Sequence, residues 1–199
     1  MTTSLNRKIE RDSLLSLEAY AKARPESRAK AMAHKRLRSV HLGEHVTLLF
    51  EDEQTIRYQI QEILRIEKQF EEAGIQDELE AYNPLIPDGR NFKATMMIEY
   101  EDEAQRREKL KILKGIEDRT WVQVEAMGRV YAIADEDLKR ENETKTSAVH
   151  FLRFQLTNEM AAALKYGVSL SMGVDHAHYQ AELSPLPMAA RNALVNDLA

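Results

Sequence analysis

The chain has 199 residues, 31% of them charged and 43% hydrophobic, with a formal net charge of −5 and no cysteine. That composition is ordinary for a soluble globular protein, and no apolar run reaches the roughly 20 residues that a membrane helix needs. The missing cysteines exclude disulfides, zinc–thiolate sites, iron–sulfur ligation and thiol nucleophiles, and the N-terminus has no apolar signal segment, so a cytoplasmic location is expected.

The first 45 residues hold ten Lys and Arg against five Asp and Glu, so a basic arm precedes an acidic body. Such an arm can bind nucleic acid, bind an acidic partner, or pack on its own body. Asp12 or Ser13 is placed to cap a helix through Leu14, Leu15, Leu17 and Tyr20, which Pro25 should stop or kink. A second, basic helix is expected over Ala29 to Arg38. Residues 1–40 thus read as a helical extension of one domain spanning 1–199.

His45 to Glu51 alternates as a strand. Asp52 and Gln54 open a long helix, with Ile56, Ile60, Ile63, Leu64 and Phe70 at helical spacing and Gly74 as its stop. A short helical piece, Gln76 to Tyr82, precedes a proline-rich loop, Asn83 to Arg90. Ala94 to Tyr100 reads as a strand and Glu103 to Leu113 as a charged helix. Trp121 to Ala126 and Arg129 to Ala134 form a hairpin around Met127-Gly128. Val149 to Leu156 is a strand, Thr157 caps the next helix and Gly167 ends it. Val168 to Glu182 reads as a final strand, bent or unbroken, before Pro185, Pro187 and a short C-terminal helix. The expected class is α+β: one mostly antiparallel sheet with helices packed on it and an N-terminal helical extension.

Chemistry concentrates near the C-terminus. In Gly173-Val174-Asp175-His176-Ala177-His178-Tyr179-Gln180-Ala181-Glu182, a side-chain period of two puts His176, His178 and Glu182 on one face, and all three are ligand types for first-row metals. His-x-His-x-x-x-Glu is the first half of a cupin motif, but no downstream histidine strand follows, so the cupin reading fails. The geometry forks at Gly173. An unbroken strand carries both histidines inward with Val168, Leu170, Met172 and Val174. A bulge at Gly173 turns them outward.

His150 shares a face with Leu152, Phe154 and Leu156 and is expected to be buried. If its strand lies beside that of His176, three imidazoles converge, with Asp175 or Glu182 completing the shell. His41 and His45 flank Gly43 in a loop entering a strand, where they are either ordinary polar residues or a further ligand pair. His34 sits in a basic run. A rubrerythrin-type diiron site needs Glu-x-x-His, and Glu62 and Glu67 lack the histidine. No phosphate loop, nucleophile elbow or His-Glu-x-x-His motif is present. Nucleic-acid binding lacks support, since the basic helix has no interleaved aromatic residues.

Five phrases carry a family resemblance. They are Ser16-Leu17-Glu18-Ala19-Tyr20, Arg38-Ser39-Val40-His41-Leu42-Gly43, Tyr82 to Gly89, Ile133-Ala134-Asp135-Glu136-Asp137, and Lys145 to Phe154. Together they resemble an uncharacterised bacterial family, domain of unknown function 3501, over nearly the whole chain. The resemblance implies a gene context beside rubrerythrin-like diiron proteins and iron–sulfur oxidoreductases. It brings no catalytic residues to carry over.

The leading expectation is therefore a cytoplasmic accessory protein of a redox, peroxide or metal-stress system. It would bind a divalent metal (iron, zinc, nickel or manganese) or a small cofactor through His150, His176 and His178, with His41, His45 and Glu182 next, or dock on a rubrerythrin-like or iron–sulfur partner. It would hold no iron–sulfur cluster itself, and a homo-oligomer is compatible with all of this. A competing class is an enzyme with His150 as general acid/base in a pocket lined by Arg153, Tyr82 and Asp88. A third is an interaction protein using its basic arm.

Overall fold

Helix α1 (Leu17–Arg38) is opened by Ser16, whose side chain accepts the Ala19 backbone N–H, and it runs through Pro25 rather than stopping there. The lost backbone hydrogen bond is outweighed by contacts on either side of the proline. Tyr20 and Arg24 both donate to Glu62 of α2 (Glu53–Glu67), and Arg38 is anchored at the far end. The structure is a computed structural model that describes residues 8–136 and 145–199. The first seven residues of the basic arm, Arg7 among them, and Asp137 of the fourth phrase lie outside the described residues.

The α+β class and the antiparallel pairing match the sequence reading, with the strands divided between two sheets. One has five strands: β1 (Ser39–Leu42), β2 (Val46–Phe50), β3 (Asn91–Ile98), β7 (Val149–Gln155) and β6 (Ile133–Ala134). The other has four: β5 (Arg129–Tyr131), β4 (Thr120–Val124), β8 (Leu170–His176) and β9 (Tyr179–Leu183). The expected strand Arg129 to Ala134 is interrupted at Ala132 into β5, which pairs with β4, and β6, which pairs with β7 in the other sheet. At the opposite seam Tyr179 joins the sheets: its hydroxyl donates to the Leu42 carbonyl at 2.5 Å and accepts the His45 N–H at 3.1 Å.

The inward faces share one core of Leu42, Leu48, Phe50, Phe92, Met96, Val122, Leu152, Phe154, Leu170 and Met172. Alternation along each strand selects these residues, since successive side chains point to opposite faces. At the end marked by Leu42, Ile98, Thr120 and His176, α4 (Glu103–Ile112) and a 3-10 turn at Glu117–Arg119 lie close: the Leu110 carbonyl accepts the Thr146 N–H, and the Lys114 carbonyl meets His176. At the other end α5 (Asn158–Lys165) and α6 (Met188–Val195) add Leu164 and Leu194 to the core. Burial of this apolar area, at about 25 cal/mol per Å², is the main stabilising term.

A second cluster lies among the N-terminal helices. Ile56, Ile60 and Leu64 of α2 pack with Ile75 and Leu79 of α3 (Glu72–Tyr82), and with Ile9 and Leu14. Helix α2 ends at Lys68, which takes the left-handed conformation itself (φ 53°), and Gly74 falls inside the first turn of α3. The basic arm is folded back. Arg11 pairs with Glu72, Arg24 with Glu62, and Arg38 with Asp197, while Lys22 and Lys30 form i,i+4 pairs on their own helix. Among the described residues no helix is long and apolar enough to cross a membrane.

Candidate functional site

The fork at Gly173 resolves in favour of a strand without a bulge. A Cβ there would lie 2.5 Å from the Ala181 carbonyl oxygen and 2.6 Å from the Trp121 ring, so the glycine leaves room for the indole against β8. The alternation continues to His176, which points inward and is buried. The chain then reverses through Ala177-His178, and the expected long strand becomes the hairpin β8–β9, with His176 opposite Tyr179.

This turn separates the C-terminal residues. His176 uses both ring nitrogens: Nε2 lies 3.0 Å from the Lys114 carbonyl, and Nδ1 accepts the His178 N–H at 3.2 Å. The His178 ring is exposed in the turn, 5.7 Å from that of His176. Glu182 is exposed on β9, 3.8 Å from Arg129. At the other seam, His41 Nδ1 meets Thr47 Oγ1 at 2.9 Å. His45 Nδ1 meets the Glu99 carbonyl at 3.0 Å, and its ring stacks on Tyr100 at 3.9 Å.

His150 is the residue around which chemistry gathers. It is fully buried on the inward face of β7, as its alternation with Leu152 and Phe154 requires. Its strand lies between β3 and β6, whereas β8 lies between β4 and β9, so His150 and His176 belong to different sheets. Glu117 from the 3-10 turn and Asp135 after β6 are brought to it instead. Among the described residues these three form the group of metal-ligating side chains whose donor atoms lie within 4.8 Å of one another, and His41, His45, His176, His178 and Glu182 are in no such group.

The two edges of the imidazole meet different surroundings. Nδ1 shares a 2.6 Å hydrogen bond with Asp135 Oδ2. Asp135 is itself fixed by β7. Its other oxygen accepts the Phe151 N–H at 3.0 Å, its own N–H donates to the Phe151 carbonyl, and its φ of 50° is in the left-handed region that aspartate tolerates better than most residues. Nε2 faces a set of oxygens: Thr146 Oγ1 at 2.9 Å, the Ser147 carbonyl at 3.1 Å and Glu117 Oε2 at 3.7 Å. Thr146 Oγ1 in turn donates to Glu117 Oε2 at 3.4 Å. Thr146 and Glu117 are both buried.

Nitrogen and oxygen ligands about 2.0–2.2 Å from a metal lie roughly 3.0–3.5 Å from one another. The spacings around Nε2 span that range. An ion there would take His150 Nε2, a Glu117 oxygen, the Thr146 hydroxyl and the Ser147 carbonyl. Asp135, on the opposite edge of the ring, would fix the tautomer and raise the basicity of the imidazole from behind. One nitrogen with three oxygens suits a hard or borderline divalent ion. The same distances also serve hydrogen bonding, so the cluster is satisfied as it stands.

The pocket expected beside His150 lies on the other side of β7. Asp88 and Arg153 do share a cavity, of about 520 Å³, but its further charged residues are Lys93 and Glu136, and neither Tyr82 nor His150 lines it. Sequence reasoning gave no site role to Glu117, Lys93, Asp135 or Thr146, the last two appearing only within the phrases that carry the family resemblance. Lys93 sits at the start of β3, before the expected strand began. Glu117 stands beside Asp118 in a short charged turn with no motif around it, and only the tertiary approach of that turn to β7 gives it meaning.

The chain matches a family model described as "Protein of unknown function (DUF3501)" over residues 8–198. A search of curated protein sequences gave no match. A crystal structure from Burkholderia pseudomallei K96243, described as a novel protein of unknown function, is 56% identical, covers 96% of this chain and 100% of its own, and superposes with a TM-score of 0.92.

Proposed function

Because this chain belongs to the DUF3501 family, whose description assigns no activity, we propose a function from its geometry: a divalent-metal-binding accessory protein of a redox or metal-stress system, with the metal held at His150. One observation carries the reading. A fully buried imidazole turns one nitrogen to a carboxylate that orients it, and the other to three oxygens, of which those of Thr146 and Glu117 belong to buried residues and the Ser147 carbonyl to a half-buried one. A buried ring nitrogen facing several oxygens, with a carboxylate orienting the ring from behind, is the arrangement that metal-binding histidines use.

The donor set favours manganese or iron over softer ions, with zinc and nickel next. The role beside rubrerythrin-like or iron–sulfur redox proteins, and the cytoplasmic location, rest on the family resemblance and not on the site. The folded-back arm gives the interaction-protein reading less support, since Arg11, Arg24 and Arg38 are paired with carboxylates elsewhere in the chain.

The test is metal analysis of untagged protein prepared without chelator, then titration with manganese, iron, zinc and nickel. Wild type is compared with Glu117→Gln, which keeps the side-chain volume. About one ion per chain, weakened at least tenfold in Glu117→Gln, is the expected result. A folded wild-type protein that takes up none of the four ions overturns the reading.

A further inference from the structure

The cavity on the outward face of the five-stranded sheet holds a second arrangement that the metal reading does not use. Lys93 on β3 and Arg153 on β7 are direct cross-strand partners. Both point away from the core, since Phe92, Ala94, Leu152 and Phe154 beside them are buried. Like charges opposite one another on an antiparallel pair repel, so such a pair needs compensation or a purpose.

Compensation is unequal. Arg153 places Nε and Nη2 on the two oxygens of Glu136, each at 2.7 Å, and its Nη1 on the neutral Gln155 amide at 2.7 Å. Lys93 Nζ donates to the Pro84 carbonyl, a neutral acceptor, and forms no ion pair among the described residues. Its side chain is half-buried against a partly apolar wall that includes Pro84, Leu85 and Phe151. Burial pushes its ammonium below the ordinary lysine range and Arg153 acts in the same direction, while Asp88 and Glu136 oppose the shift.

A half-desolvated lysine in a pocket, next to a second cation and without a bound carboxylate, has the surroundings of a nucleophilic amine. We propose that Lys93 is the nucleophile of a carbonyl-binding site that condenses with a small 2-oxo acid, the acid's carboxylate lying against Arg153. The Nζ lone pair attacks the carbonyl carbon and the C–N bond forms as the C=O π bond opens. The carbinolamine then loses the former carbonyl oxygen as water, which carries away the two amine hydrogens and leaves an imine. Asp88, which lines the same cavity, is the carboxylate that relays the protons, since both oxygens of Glu136 are held by Arg153. Arg153 can accept the acid because its Nη1 is held only by a neutral amide, which a carboxylate displaces with a gain. The cavity, of about 520 Å³, has room for such an acid together with water, and it lies on the opposite face of β7 from His150.

The experiment treats the full-length protein with glyoxylate, pyruvate or propionaldehyde, reduces with borohydride, and reads intact mass and peptide maps. The expected result is one reduced adduct per chain at Lys93. The adduct is lost in Lys93→Arg, and in Arg153→Gln it is weakened at least fivefold for the two oxo acids but not for propionaldehyde. Adducts spread over several surface lysines, to the same extent in Lys93→Arg, overturn the proposal. Should Lys93→Arg fail to fold, the peptide map of the wild-type protein decides by itself. Glu117→Gln should trap the oxo acids as wild type does, so failure here and failure of the metal reading are separate results.

Discussion

Replacing Gly173 by alanine tests the packing that sends His176 inward and His178 outward. On chain entropy alone the change should stabilise by about 0.4–1 kcal/mol, because alanine restricts the unfolded chain. Space decides against it. The new Cβ would sit 2.5 Å from the Ala181 carbonyl oxygen and 2.6 Å from Trp121 Cζ2, when ordinary contact begins at 3.4 Å. One of those neighbours is backbone in the β8–β9 ladder. The other is an indole pressed from its outer side by the Arg129 guanidinium, 3.9 Å from the ring centroid. Neither yields easily, so an overpacking cost of about 3 kcal/mol applies. The net loss is about 2 kcal/mol, or roughly 4–8 °C in Tm for a chain of this length. Trp121 is the single tryptophan and is 1% exposed, so urea unfolding followed by its fluorescence reads stability and ring environment together. The variant should show a lower midpoint and a red-shifted native emission. A midpoint equal to or above that of the wild type would refute the packing of the indole over Gly173.

Three further outcomes are expected. Arg38→Met should cost about 3–5 kcal/mol in urea unfolding, because the buried guanidinium donates to the carbonyls of Phe50, Glu51 and Ala193 and to Asp197, and all four lose it at once. Glu62, hydrogen-bonded by Arg24 foremost, is held down to about 2, below its unfolded value, so its contribution is complete above about pH 4.5 and is lost as pH falls toward 2. Arg24→Met should therefore lower stability at pH 7 more than at pH 2.5, and an equal loss at both would argue against this pairing. Tyr179→Phe should cost about 1–2 kcal/mol, since it removes both the donor to Leu42 and the acceptor for His45 at the seam, and hydrogen exchange in β1 and β9 should quicken before that in β3.

What could be read from the sequence was local. Asp52 and Thr157 are caps by their own side chains, and the inward face of β7 follows from Leu152 and Phe154, which also placed His150. What escaped was non-local or unmarked. Helix α1 survives Pro25 because Glu62, far along the chain, binds both Tyr20 and Arg24. The turn at Ala177-His178 lacks the glycine or asparagine that usually announces a two-residue hairpin, so β8 and β9 read as one strand. The partners of His150 come from a 3-10 turn and from the residue after β6, and no spacing in the sequence encodes that meeting.

Asp135 and Glu136 are neighbours in the chain, yet one reaches inward to His150 and the other outward to Arg153. The peptide between them therefore joins an interior and an exterior equilibrium. A ligand that draws Arg153 away from Glu136 loosens the residue next to the one that orients the imidazole. Whatever factor it imposes on binding at His150, an occupant at His150 must impose on its binding in return, because coupling between two sites is reciprocal. One peptide bond thus spans the two faces of β7.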